Sequence, residues 1–255
     1  WIERVEVIRG PGSVTLGQGA LLGVINIVTR DGAINQSRVA SRIGKDDLLH
    51  LAYETGEQTE GIQHYFYLSK TKYNGQDMDD DGWLLRGHAG IEGGTIADHD
   101  PQLFKAKNVT AIGSLKHEES GLGLNFLYAD QTKDLYNFWF DRDRFQERLI
   151  SVDINYKKMI NDQFGLNSTV FYSRDDFSLF TNRGTRTGGT REDRTGGKFL
   201  VNVSEAVFEN NELALGFDFR HTESGKDNYK DDNFLTNTLD SFTLSAFSQS
   251  NELRT

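Results

Sequence analysis

Cysteine is absent from the 255 residues, so the chain has no disulfide framework, no thiolate metal site and no cysteine nucleophile. Proline is nearly absent, with two residues. Basic residues do not dominate either: 28 Lys and Arg stand against 38 Asp and Glu, a formal charge of −10. That balance argues against a nucleic-acid partner, which needs a basic face to neutralise phosphates. Hydrophobic residues make up only 36% of the chain, few for a soluble domain of this length. No run approaches the ~18 consecutive apolar residues of a membrane-spanning helix. A membrane barrel survives all these absences, because its strands alternate polar and apolar residues and read as hydrophilic on average. Glycine is plentiful, with 26 residues.

Period-two alternation dominates, and helical periodicity is nearly missing. Over 150–157, Ile150, Val152, Ile154 and Tyr156 share one face, and Ser151, Asp153, Asn155 and Lys157 the other. Over 213–220, Leu213, Leu215, Phe217 and Phe219 stand opposite Ala214, Gly216, Asp218 and Arg220. Residues 122–130 repeat the pattern with Leu122, Leu124, Phe126 and Tyr128. Further runs near 38–44, 48–56, 62–72, 109–117, 164–174, 199–208 and 242–249 bring the expectation to about ten strands after residue 36.

Connections are expected to alternate in length. Short polar turns fall at Gly56–Gly61, Glu118–Gly121, Asn161–Gln163 and Glu209–Glu212, with long polar loops at about 73–108, 131–148, 175–197 and 222–240. One rim of tight turns and one of long loops is the layout of an outer-membrane barrel. Loops beyond ~12–15 residues are uncommon in compact soluble domains. Aromatics such as Tyr53, Tyr65, Tyr128, Tyr156 and Tyr172 fall mostly toward strand ends, where interfacial girdles put them. Ordinary β propensity favours the same residues.

Residues 2–30 do not follow the barrel pattern. A strand at Ile2–Ile8 runs into Arg9-Gly10-Pro11-Gly12, and a small-residue stretch with Gly17, Gly19 and Gly23 leads to a second strand, Val24–Thr29. The segment Ile2-Glu3-Arg4-Val5-Glu6-Val7, then Arg9-Gly10-Pro11, then Leu16-Gly17-Gln18-Gly19-Ala20-Leu21-Leu22-Gly23-Val24-Ile25-Asn26-Ile27 closely resembles the C-terminal end of the plug in TonB-dependent outer-membrane receptors. Leu16 stands where the family usually has Tyr, and Leu22 where it has the first Gly of a pair. The likeness is specific over these residues; beyond them it rests on the barrel pattern.

The resemblance implies an all-β fold, a transmembrane antiparallel barrel of 22 strands in the full protein with a plug inside its lumen. Twenty-two strands of ~9–11 residues need over ~200 residues before any loop is counted. Residues 1–35 are therefore expected to be the end of the plug, and 36–255 the first part of the barrel, truncated. Cut there, the sheet would expose an open edge that neither lipid nor water tolerates, so the piece is not expected to form a working barrel alone.

The same resemblance implies that Arg4 and Arg9 face the barrel wall and pair with its glutamates, and that Gly10, Pro11, Gly17, Gly19, Gly23 and Asn26 belong to the plug motif. Asp77, Asp79 and Asp81 open like a calcium loop, with Gly82 at the sixth position. His88 occupies the place of the closing glutamate, which favours a solvated acidic tip over a calcium loop. No other cofactor is indicated. Arg183, Arg186, Arg191 and Arg194 share a Gly/Thr-rich loop and could engage an anionic chelate, touch lipopolysaccharide phosphates or simply be solvated. Trp83, Tyr136, Trp139 and Phe140 could stack on a planar ligand or pack loops together. No H-x-x-x-H or H-E-x-x-H pattern occurs.

The expected function is energised uptake of a scarce chelate across the bacterial outer membrane. A ferric siderophore leads, and cobalamin or haem follows. TonB would be the partner through a plug segment upstream of residue 1. Outer-membrane lipid and lipopolysaccharide surround the wall. The competing reading is a ten-stranded barrel enzyme resembling the omptin proteases, which would leave residues 2–30 without a role.

Overall fold

The alternating runs condense into antiparallel strands. A computed structural model describes residues 1–9, 23–30, 34–77, 102–103, 105–136, 142–180, 186–204, 211–228 and 234–250. Strands β1 (Ile2–Arg9) and β2 (Gly23–Thr29) form a two-stranded sheet. Ten further strands make one sheet: β3 (Gln36–Gly44), β4 (Leu48–Thr59), β5 (Ile62–Tyr73), β8 (Ala106–His117), β9 (Leu122–Tyr136), β10 (Arg142–Met159), β11 (Phe164–Phe180), β12 (Arg186–Ser204), β13 (Asn211–Asn228) and β14 (Phe234–Ser250). Each strand pairs with its neighbours in chain order. The short β6 (Gln76–Asp77) and β7 (Gln102–Leu103) pair with each other between β5 and β8. The fold is all-β, as the alternation predicts.

The two faces of the large sheet differ in chemistry. One carries Tyr53, Phe66, Leu68, Leu115, Leu122, Leu124, Phe126, Val152, Ile154, Val170, Phe199 and Phe217, and much of this apolar surface is exposed. The other carries Glu54, Ser69, Asn125, Asp153 and Asn155, with the Asn125 amide donating to Asp153 Oδ1 at 2.8 Å. Exposed apolar residues outside and polar residues inside invert the soluble rule, and fit a wall with lipid on its outer face and a wet lumen.

Register shows how the strands lie. The outward apolar window is Leu122–Tyr128 on β9 and Leu213–Phe219 on β13. The hydrogen-bonded row through Tyr128 passes Ile150, Arg174 and Asp193 and reaches Glu223, four residues beyond the top of the β13 window. The window thus slides by about one residue per strand, about 3.4 Å for each ~4.8 Å of strand spacing. For an apolar band lying level in a bilayer, this is a strand tilt of about 35°, within the range of closed barrels.

The rim from which β3 rises has tight turns. Asn161 Oδ1 accepts from the amides of Gln163 and Phe164 at 2.9 and 2.8 Å, which closes the β10–β11 turn. Glu118 Oε1 accepts from Gln58 and Gln63 at 3.0 and 2.9 Å, tying two turns together. Gly121 has φ +74°, and a Cβ there would lie 2.2 Å from the Lys157 carbonyl oxygen. Gly121→Ala is therefore expected to cost about 1–2 kcal/mol through the left-handed backbone and the close approach. Thermal melting of the full protein in detergent reads it.

Several expected loops turn out to be strand. β9 runs on to Tyr136 and β10 begins at Arg142, so most of 131–148 is ladder; the same holds for 175–197 and 222–240. The outward face is largely polar or charged here, while the other face carries Phe145 and Phe177 with ring centroids 5.9 Å apart, so the apolar-outward alternation stops. Cross-strand ion pairs hold them instead: Arg148–Asp130 at 3.2 Å, Arg174–Asp193 at 2.7 Å and Arg191–Asp176 at 2.5 Å. Arg191 and Arg194 are accordingly strand residues, not loop residues. The turn after β4 is shorter than expected, with only Glu60 and Gly61 between β4 and β5. At the opposite rim β3 and β4 join through Asp46 and Asp47, both at positive φ, in a tight hairpin.

Candidate functional site

Among the described residues, the small sheet is tied to the large one through the carboxylate of Glu54. β2 ends at Thr29, and the Arg30 amide donates to the Trp1 carbonyl at 2.9 Å, which fixes Arg30 at the end of the two-stranded sheet. Its guanidinium Nη1 donates to both oxygens of Glu54, at 2.9 and 3.2 Å. Glu54 points from β4 to the polar face, and its side chain is 7% exposed. Arg38 of β3 lies 3.2 Å from Oε1. The Tyr65 hydroxyl, on a residue only 2% exposed, donates to Oε2 at 3.2 Å. A buried carboxylate with three charged or polar donors is well satisfied, and charge-assisted bonds are the stronger kind. This contact marks the polar face as the one that looks on the small sheet.

Tyr65→Phe keeps the ring and removes one donor to a buried acceptor. It is expected to cost about 0.5–1.5 kcal/mol, read as a lower melting temperature of the full protein.

Beside the latch lies a cavity of about 150 Å³, lined by Arg30, Gln63, Ser114, Lys116, Asn125 and Asn155 among others. It is polar and has room for water, yet is smaller than the ~300–1,000 Å³ of most small-molecule sites. The junction thus holds one sheet against the other beside a polar gap with room for water.

Arg4 lies on β1 and pairs with Glu3 at 2.8 Å and Glu6 at 2.7 Å, with its side chain 54% exposed. The Asn26 amide donates to Glu6 Oε2 at 2.8 Å. Asn26 and then Arg4 hold the Glu6 carboxyl below its ordinary range, and Glu6 and then Glu3 hold the Arg4 guanidinium above its own. Arg9 and Gly23 are paired at the end of this sheet where the chain passes from β1 to β2. Gly10, Pro11, Gly17 and Gly19 lie outside the described residues, as do Asp79, Asp81, Trp83, Trp139, Phe140 and Arg183. The backbones of Asp77, Tyr136 and Arg186 are in strands β6, β9 and β12.

Sequence reasoning missed Arg30 and Glu54. The motif breaks off before Arg30, and 24 residues separate the two. The one available signal was a carboxylate at an inward position between Ala52 and Gly56, where small residues leave room for an incoming side chain.

No protein-family model matches the chain, and no curated protein does. Solved structures do match. A variant of the ferric enterobactin receptor of Pseudomonas aeruginosa in complex with enterobactin is 16% identical with a TM-score of 0.66, over 97% of this chain and 42% of that one. The ferric-catecholate import receptor Fiu of E. coli K12 is 12% identical with a TM-score of 0.67, over 97% and 43%. The FrpB iron transporter of Neisseria meningitidis is 12% identical with a TM-score of 0.61, over 88% and 37%. The chain has the barrel-wall fold of these proteins. It spans about two-fifths of their length.

Proposed function

We propose that the chain is the end of the plug (residues 1–35) and the first part of the barrel wall (36–255) of a TonB-dependent outer-membrane receptor that imports an iron chelate, a ferric siderophore first. The observation that carries this reading is the Arg30–Glu54 latch, which seats a motif-bearing two-stranded sheet on the polar face of a lipid-facing wall. A free-standing barrel enzyme would need no such sheet. The similar structures support the substrate class: one is a siderophore complex, and others are an import receptor and an iron transporter.

In this reading the chelate binds on the long-connection rim, and TonB acts on plug residues upstream of this chain. The plug must be held firmly at rest and released under load, which suits one well-satisfied carboxylate beside a wet cavity better than a dry apolar seam. The test is uptake of radioactive iron, supplied as a ferric catecholate, by cells carrying the full protein. Accumulation that stops when the inner membrane is depolarised is the expected result. Uptake of cobalamin or haem without the iron chelate would change the substrate, and outer-surface proteolysis without uptake would overturn the reading.

A further inference from the structure

Glu54 holds two cations where one would balance its charge. Arg30 and Arg38 lie 2.9 and 3.2 Å from the same oxygen, Oε1. They reach it from different sheets. Arg30 follows β2 and is fixed to the end of the small sheet, whereas Arg38 lies on β3 as the direct cross-strand partner of Glu54. Two guanidiniums on one carboxylate oxygen repel each other, so each weakens the hold of the other. A single arginine would fasten the small sheet better.

The second cation matters when the first one leaves. The Glu54 side chain is 7% exposed, and a buried carboxylate stripped of its cation is strongly destabilised. When Arg30 departs with the small sheet, Arg38 stays on the wall, in register with Glu54 and already at Oε1. Tyr65 stays as well, on Oε2. The planar fork of arginine suits a carboxylate, so Arg38 can close on the position that Arg30 vacates. The cavity beside Arg30 has room for the water that the freed guanidinium takes up. We propose that Arg38 is a positioning residue of transport: it takes over Glu54 as Arg30 leaves, so that the plug is released by an exchange of partners and not by baring a buried charge. The inference deepens the import reading above and rests on it.

The test compares the Arg30–Glu54 coupling in the full protein with and without Arg38. Double-mutant cycles from melts in detergent give the coupling in the wild-type and R38M backgrounds. Exchange predicts a stronger coupling in R38M, by about three- to tenfold as an equilibrium constant, the worth of one charge-assisted contact. R38K keeps the charge that repels Arg30 and should restore the wild-type coupling. A residue that merely props Glu54 would behave the other way: R38M would weaken the coupling and admit large antibiotics. Uptake of a ferric catecholate by cells carrying each form is read in parallel. R38M should lower the maximal rate by about three- to tenfold and leave KM unchanged, since it alters release and not chelate binding. An unchanged or weaker coupling in R38M, or an unchanged maximal rate, overturns the exchange. Heat-modifiable gel mobility shows whether each variant folds, and R38Q takes the place of R38M if that form does not. No uptake by the wild type would defeat the import reading, whereas the coupling needs no substrate and still decides whether Arg38 competes for Glu54.

Discussion

Replacing Glu54 by alanine is expected to loosen the small sheet from the wall and to lower stability by about 2 kcal/mol. Breaking a fully buried ion pair costs about 3–5 kcal/mol. The figure is reduced here because Arg30 and Arg38 stay partly exposed, at 32% and 51%, and can recover water. Tyr65 cannot, since its hydroxyl is left buried near the Arg30 guanidinium without its acceptor. The double-mutant cycle with Arg30→Ala separates the pair from these side effects. A coupling of about 1–2 kcal/mol is expected from melts of the full protein in detergent. A coupling near zero would mean that the contact guides geometry without holding anything. Cells carrying the Glu54 variant should also admit large antibiotics that the wild type excludes.

Introducing arginine at Val152 should be costlier still. Val152 is in the middle of the outward window on β10 and is 37% exposed, which in water would make the substitution harmless. If that exposure is to lipid, an arginine near the midplane costs about 2–4 kcal/mol. Its neighbour Ser151 faces the lumen, and Ser151→Arg should cost under about 1 kcal/mol. Folding titrations into lipid vesicles give both values. Equal, small costs would place both faces in water.

These contrasts show what was legible in the sequence. Inside the bilayer each residue faces either lipid or lumen, so chemistry must alternate, and β9, β10 and β13 could be read directly from 122–130, 150–157 and 213–220. Past the headgroups both faces are wet, and the pattern has no reason to persist. The ladder continues there through Arg174–Asp193 and Arg191–Asp176, pairs formed between strands that no single-strand period reveals. The latch was hidden for a related reason. Arg30 and Glu54 belong to different sheets, and their meeting is fixed by where β2 ends against β4, not by spacing. The motif of residues 2–27 was specific as a string, while the described contact with the large sheet comes from Arg30, just beyond it.

The central claim is that one face of the ten-stranded sheet lies in lipid and the other in a wet lumen. These 255 residues hold no cysteine, which allows a direct test: single cysteines placed in turn at 150–157 of the full protein, with any cysteine elsewhere in it replaced by serine, spin-labelled and reconstituted in bilayers. Collisions with oxygen, which concentrates in lipid, and with a water-soluble nickel chelate are then compared. Labels at Ile150, Val152, Ile154 and Tyr156 should meet oxygen and escape the chelate, and those at Ser151, Asp153 and Asn155 should not. Equal chelate access at all positions, or a period near 3.6 in place of two, would contradict the account.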